Sequence, residues 1–332
     1  MPLKLKNPIR AALPLAFLAL TASACAYIPF TEKTGAYELF TGHSTDLWCA
    51  NGDDSWVMED RADLAGPHFG LSVLCRFELR EVPEDIAASA ENLADLPVIA
   101  AGVELIVTQM AITPAIEAEY APGHVTTWIT VGEEKLELDS LPGGGDYLAV
   151  TAPQADDAVL WVEDQGRAQG LDLRTGERIE PLAPMYDDIA TYSEPLPGYV
   201  IDKFDIASAT SKTWLRCHYE WAIAELSTWN PDLGWAPDGS VHMTVTTYWC
   251  GTIEEFTWNL NQEKALTVDG TAPVHWSDTL EDGWNRIEAV FTVPDDADEI
   301  LIEFTPFGNI TANGERYEYR DDPEVYEWLA TF

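Results

Sequence analysis

The chain has 332 residues, with 57 Asp and Glu against 18 Lys and Arg, a formal charge of −39. Acidity of that size excludes nucleic acid and anionic polymers as partners, because they carry the same sign of charge.

The first residues carry Lys4, Lys6 and Arg10, followed by an uncharged, Leu- and Ala-rich stretch from Ala11 to Ala24. Those are the parts of a secretory signal, so residues 1–24 are expected to be a signal peptide. The stretch is 14 residues long, and crossing a hydrocarbon core takes about 20. A permanent helical anchor is therefore the poorer reading. Thr21-Ala22-Ser23-Ala24-Cys25 resembles the lipobox of bacterial lipoproteins, with Ala22 where a Leu is usual. The resemblance implies a diacylglyceryl group on Cys25, a membrane as partner, and residues 25–35 as a tether. Small residues at 22 and 24, or at 24 and 26, equally allow ordinary cleavage after Ala24 or Ala26.

Without the leader, 15 basic residues face 57 acidic ones, a charge of −42. The charge is even along the chain: 8 basic and 29 acidic residues precede 182, and 7 and 28 follow it. That evenness describes a solvated, self-repelling surface rather than an acidic tail or one binding patch.

About 300 residues beyond the leader suit two domains, and internal comparison finds two copies. Thr151-Ala152-Pro153-Gln154-Ala155-Asp156-Asp157-Ala158-Val159-Leu160-Trp161 lies against Thr292-Val293-Pro294-Asp295-Asp296-Ala297-Asp298-Glu299-Ile300-Leu301-Ile302. Cys75-Arg76-Phe77-Glu78 meets Cys217-His218-Tyr219-Glu220, and Thr175-Gly176-Glu177-Arg178 meets Asn313-Gly314-Glu315-Arg316. The copies are expected at 36–182 and 195–332, with an insertion near 46–69 in the first. Pro184, Pro195 and Pro197 with Asp187 and Asp188 mark a linker over 183–194.

Period-2 alternation predicts half-buried strands. Leu71, Val73, Cys75, Phe77 and Leu79 share one face; so do Leu215, Cys217, Tyr219, Trp221 and Ile223, which points both cysteines inward. Val241, Met243, Val245, Thr247 and Trp249 form a third inward set, and Ile287, Ala289, Phe291 and Val293 a fourth. Cys250 would then face outward, so a strand end or bulge is expected at Gly251. Ile86, Ala90 and Leu93 recur at helical spacing between Pro83 and Leu96. Many short strands joined by turns, such as the Gly-rich 141–146, indicate an all-β chain of two tandem antiparallel sandwiches. Setting Cys25 aside leaves an even four cysteines, as expected of an exported chain. Pairing Cys49 with Cys75 and Cys217 with Cys250 keeps each bridge within one copy, although four cysteines allow three pairings.

The run from Leu141 through Tyr147-Leu148-Ala149-Val150 to Pro153, then Val159-Leu160-Trp161 and Leu171-Asp172-Leu173-Arg174-Thr175-Gly176, resembles the closing strands of telokin-like, immunoglobulin-like domains of secreted bacterial lipoproteins. The resemblance covers about half of each copy. It implies a β-sandwich with a binding or accessory role, and it carries no catalytic residue across.

His43, His68, His124, His218, His242 and His275 are scattered without metal-ligand spacing, and HExxH is absent. His218 and His242 fall on polar strand faces and are expected to be exposed. Asp295-Asp296-Ala297-Asp298-Glu299 reads as turn residues rather than a calcium loop. No nucleophile elbow is present, so neither a catalytic residue, a metal nor a cofactor is expected. Of 13 tryptophans nine lie in the second half. Trp214, Trp221, Trp249 and Trp258 sit in strand-like segments and read as core. Trp229, Trp235, Trp276 and Trp284 sit among Asn, Pro, Asp and Gly, as loop aromatics that bind a ligand or fold back on the sandwich. The expectation is a non-catalytic, membrane-anchored envelope protein that binds an envelope protein or glycan. The alternatives are a carbohydrate-binding module using those four indoles, or a hydrolase with carboxylates between the domains.

Overall fold

The computed structural model describes residues 33–49, 62–115, 121–182, 186, 193–196, 200–251, 256–281 and 283–332. Cys25, the signal peptide, residues 50–61 of the insertion and nearly all of the linker lie outside the described residues, as do the side chains of His218 and Trp221.

The N-terminal half contains β1 (Leu39–His43), β2 (Asp63–Ala65), β3 (Gly70–Leu79), two short helices α1 (Glu84–Ser89) and α2 (Glu91–Ala94), β4 (Val103–Ile112), β5 (Val125–Val131), β6 (Glu134–Glu137), β7 (Asp146–Pro153), β8 (Ala158–Asp164), β9 (Arg167–Asp172) and β10 (Arg178–Ile179). The C-terminal half contains β11 (Ser193–Leu196), β12 (Val200–Ala207), β13 (Lys212–Ser227), β14 (Trp229–Asn230), β15 (Gly234–Trp235), β16 (Ser240–Gly251), β17 (Phe256–Leu260), β18 (Leu266–Val268), β19 (His275–Glu281), β20 (Trp284–Pro294), β21 (Glu299–Phe304), β22 (Gly308–Ala312), β23 (Glu315–Tyr319) and β24 (Tyr326–Thr331). The fold is all-β, and among the described residues the named strands pair antiparallel throughout.

In the N-terminal half one sheet runs β1-β7-β4-β3-β2 and the other β10-β9-β8-β5-β6. Leu71, Val73, Ile106, Met110, Leu148 and Val150 of the first sheet meet Ile129, Val131, Leu160, Val162 and Leu171 of the second in one core. A second core lies on the other face of the first sheet, where Cys75, Phe77, Leu105, Val107, Tyr147 and Ala149 pack under Trp48, Ile86, Ala90 and Leu93. β4, covered on both sides, is buried without a break from Leu105 to Met110, including the polar Thr108 and Gln109. The helical spacing of Ile86, Ala90 and Leu93 thus covers a sheet, although Ala90 leaves the helical region and divides the segment in two.

Two expectations about strand faces need correction. The register of β3 against β4 shifts between Val73 and Cys75, so Leu71 and Val73 point between the sheets while Cys75 and Phe77 point to the helix layer. Cys75 is fully buried, but not in the sandwich interior. In β13 the register shifts between Tyr219 and Ala222, which puts Ala222, Ala224 and Leu226 inside and leaves Ile223 half-buried. A bulge adds one residue to one strand and exchanges its faces, which strict alternation does not foresee.

In the C-terminal half β13, β16 and β20 are consecutive neighbours, as β3, β4 and β7 are in the N-terminal half, and β18 pairs β21 as β5 pairs β8. The edges differ: β12 lies between β13 and β23 and joins strands into one nine-stranded sheet, while β24 takes the place beside β21. The buried faces of both sheets meet in one core centred on Cys217, Met243, Trp249, Phe291, Ile302 and Phe304. β16 slips against β20 between Trp249 and Gly251, and Cys250 has a positive φ of 48° there. The bulge turns Cys250 inward, where it is fully buried. Disulfides join Cys49 to Cys75 and Cys217 to Cys250, with Cα separations of 5.8 and 4.6 Å. Two bridges place the folded chain in an oxidising, extracytoplasmic environment. Among the described residues no helix is long and apolar enough to cross a membrane.

Candidate functional site

The four singled-out tryptophans lie in strands, and none of them is exposed. Trp229 and Trp235 face each other across a small hairpin of β14 and β15. The side chain of Asn230 closes its turn by accepting from the main-chain N–H groups of Asp232 (2.9 Å) and Leu233 (3.2 Å). Trp276 lies on β19 against the core, with its Nε1 buried and without a hydrogen-bond partner. Trp284 opens β20 opposite Glu281. The structure brings Trp229 and Trp235 together and leaves Trp276 and Trp284 elsewhere, because the hairpin projects off β13 toward the N-terminal half. Trp214, expected in the core, is 57% exposed on β13.

What the hairpin meets is the β8–β9 turn. Gln165 and Gly166 both take positive φ, 51° and 82°, the left-handed pair that a two-residue turn between twisted strands demands. The Trp235 indole donates from Nε1 to the main-chain oxygen of Asp164 at 3.2 Å. The guanidinium of Arg167 lies 5.4 Å from the Trp235 ring centre, and its Nη2 donates to the Ala236 carbonyl at 2.9 Å and to Asp238 at 3.1 Å. Trp229 meets the ring of His68 edge-on at 5.4 Å.

Behind this contact the Asp164 carboxylate is 1% exposed. One oxygen bonds Nδ1 of His68 at 2.8 Å and the other accepts the His68 main-chain N–H at 2.9 Å. The His124 ring sits 4.9 Å from that of His68. On the far side of the hairpin, His242 is 3% exposed rather than solvated, with Nε2 3.2 Å from the Gly234 carbonyl. Burial pushes its imidazole below the ordinary value of 6.5. Its outward strand face is covered by the hairpin, a tertiary contact invisible to alternation.

Tyr186 of the linker docks on the N-terminal half. Tyr186 donates to the side chain of Gln169 at 2.8 Å and accepts the Ala65 N–H at 3.0 Å, with the Arg178 guanidinium 3.8 Å over its ring. Burial pushes the Tyr186 phenol up to about 12.

Between the halves lies a crevice of about 250 Å³ whose walls include Arg167, Thr228, Trp235, Asp238, Ser240 and Asp295. A wider groove of about 450 Å³ on the N-terminal half is lined by His43, Glu137, Asp139, Ser140, Asp146 and Tyr147. There Nδ1 of His43 meets Asp146 at 2.9 Å, and Asp146 also accepts the Gly143 N–H at 2.6 Å. An imidazole held by a carboxylate is half of a general-base pair, yet among the described residues no hydrogen bond joins Ser140 to His43. On the outer face of β5 and β8, Trp128 and Trp161 lie nearly parallel, 12° between planes and 6.2 Å between centres, with the Lys135 amine 4.5 Å over Trp128.

Among the described residues no group of three His, Cys, Asp or Glu is placed to hold a metal ion. Asp164 and Arg167, not singled out in the sequence, and His68, noted there only as one of six scattered histidines, carry the junction. The available signal was the hairpin turn at Gln165-Gly166, which puts Asp164 and Arg167 side by side at a tip. No known protein family matches the chain, and no curated protein matches it.

Proposed function

We propose that the chain is a non-catalytic envelope protein, tethered to a membrane through a lipid on Cys25, that binds an envelope component. The observation that carries the reading is the junction. Trp229 and Trp235 of one half clasp His68, Asp164 and Arg167 of the other, so the two sandwiches present one fixed surface with a crevice where they meet. Boundaries between domains are favoured places for ligand sites. The likeness of strand order in the halves supports descent from one duplicated immunoglobulin-like domain, and the even acidity agrees with a partner other than nucleic acid.

The hydrolase reading draws no support from the junction, since Asp164 is engaged by His68 and Asp238 by Arg167. The glycan reading loses Trp276 and Trp284 but keeps Trp235, which walls the crevice.

The test has two arms. Mass spectrometry of Cys25 in the purified chain should find a diacylglyceryl group, and Cys25→Ala should leave the membrane fraction. The full mature chain, immobilised, should retain a defined envelope component that is released by soluble competitor. Recovery of an unmodified Cys25, or retention of nothing above a blank support, refutes the respective arm.

A further inference from the structure

Four polar groups in the crevice walls have bonding capacity that the protein does not use. The Thr228 hydroxyl, in a residue 6% exposed, is buried without a hydrogen-bond partner among the described residues. Among the described residues the Ser240 hydroxyl and the Asp295 carboxylate make no side-chain hydrogen bond; their bonds are main-chain ones, to Pro237 and Gly239. Arg167 spends Nη2 on Ala236 and Asp238 and keeps Nε and Nη1 uncommitted. Beside them stands the half-buried indole of Trp235, and the 236–240 loop is closed by bonds from Ser240 to Pro237 and from Asp295 to Gly239.

That set comprises a guanidinium donor, a carboxylate acceptor, two hydroxyls that serve as either, and an aromatic wall. Thr228 is a buried hydroxyl left without a partner where such groups are normally satisfied, and the partly exposed Arg167, Ser240 and Asp295 stand open beside the indole, a set that suits a ligand with many hydroxyls and an apolar face. The volume of about 250 Å³ falls below the roughly 300–1,000 Å³ of drug-sized pockets, which suits one ring rather than a chain threaded through.

We propose that this crevice binds a single pyranose residue of a neutral glycan. The sugar's C–H face lies against Trp235, and adjacent hydroxyls bridge Arg167 and Asp295, with Ser240 and Thr228 completing the ring of contacts. An anionic ligand is disfavoured because Asp238 and Asp295 set two negative charges against the single guanidinium of Arg167. The inference rests on the binding role proposed above and names the ligand class for it.

The experiment titrates the full mature chain with glucose, galactose, mannose, N-acetylglucosamine and their disaccharides, using calorimetry and saturation-transfer NMR, with free amino acids as charged comparators. At least one neutral saccharide should saturate. Asp295→Asn and Ser240→Ala should each weaken it about tenfold, with melting temperatures within about 2 °C of the parent. The proposal is overturned if no saccharide saturates, if only amino acids bind, or if both variants bind as the parent does. An envelope component retained equally by parent and Asp295→Asn, with no saccharide bound, would sink the crevice assignment while leaving the general binding role standing.

Discussion

The indole N–H of Trp235 donates over 3.2 Å to the main-chain carbonyl of Asp164, a residue 71 positions earlier in the chain. The same Asp164 turns its carboxylate inward to hold His68, whose ring then receives the edge of Trp229. One aspartate thus faces both ways, its main chain toward the partner half and its side chain toward its own core. With Arg167, three residues further along, and its two hydrogen bonds to Ala236 and Asp238, it makes the contact between the sandwiches directional rather than a greasy adhesion.

Trp235→Ala is expected to lower stability by about 2 kcal/mol, below the full core value because the ring is half-buried. In a double-mutant cycle with Arg167→Ala, measured by urea unfolding, the coupling should be about 0.5–1 kcal/mol for a stacked guanidinium. Strict additivity of the two substitutions would refute the stacking.

A Cβ built on Gly170 would stand 2.8 Å from a Val159 methyl and 3.2 Å from both Ile179 and the Trp161 ring. Gly170→Ala should therefore cost about 1–3 kcal/mol by overpacking. Gly123, with nothing within 4 Å of its Cβ position, is the control: Gly123→Ala should change stability by less than about 0.5 kcal/mol. Equal effects at the two sites would contradict the packing described for β9.

Replacing Cys217 and Cys250 together by Ser opens a closure of 33 residues. In the chain-entropy account this removes about 3–4 kcal/mol. Urea midpoints of parent and double variant, compared under non-reducing conditions, measure the loss; a difference under about 1 kcal/mol would show that the bridge constrains little.

His242 provides a pH-dependent test. Its folded value lies below the ordinary 6.5, so the unfolded chain takes up the proton first. Stability from this site is full above about pH 6.5 and falls as the pH drops from there toward the folded value. His242→Gln should flatten the decline in urea midpoint between pH 7.5 and 5.5 relative to the parent. Parallel pH profiles would mean that the imidazole is not desolvated by the hairpin.

Alternation alone located the strands, and the odd placement of Cys250 foretold the bulge that turns it inward. Alternation failed where a bulge intervened: Cys75 and Ile223 sit on faces opposite to those expected because the register shifts just before each of them. The tryptophans failed for another reason. Trp229 and Trp235 are flanked by turn residues and look solvent-facing locally, yet the surface covering them belongs to residues some 70–160 positions away. His242 was misplaced by the same hairpin. Contacts between halves leave no periodic trace in either partner, so the junction and its crevice were the least legible parts of the chain.

The strand β12 bonds β13 on one edge and β23 on the other, whereas among the described residues no strand of the N-terminal half joins its two sheets. Under mechanical tension the consequence is an order of rupture. The N-terminal half can part by sliding its two sheets, while the C-terminal one must first tear β12 out of the nine-stranded sheet that it holds together. A molecule held at its N-terminal end and pulled from the other should yield first in the N-terminal half, and single-molecule extension traces that begin with the C-terminal half would reverse that order.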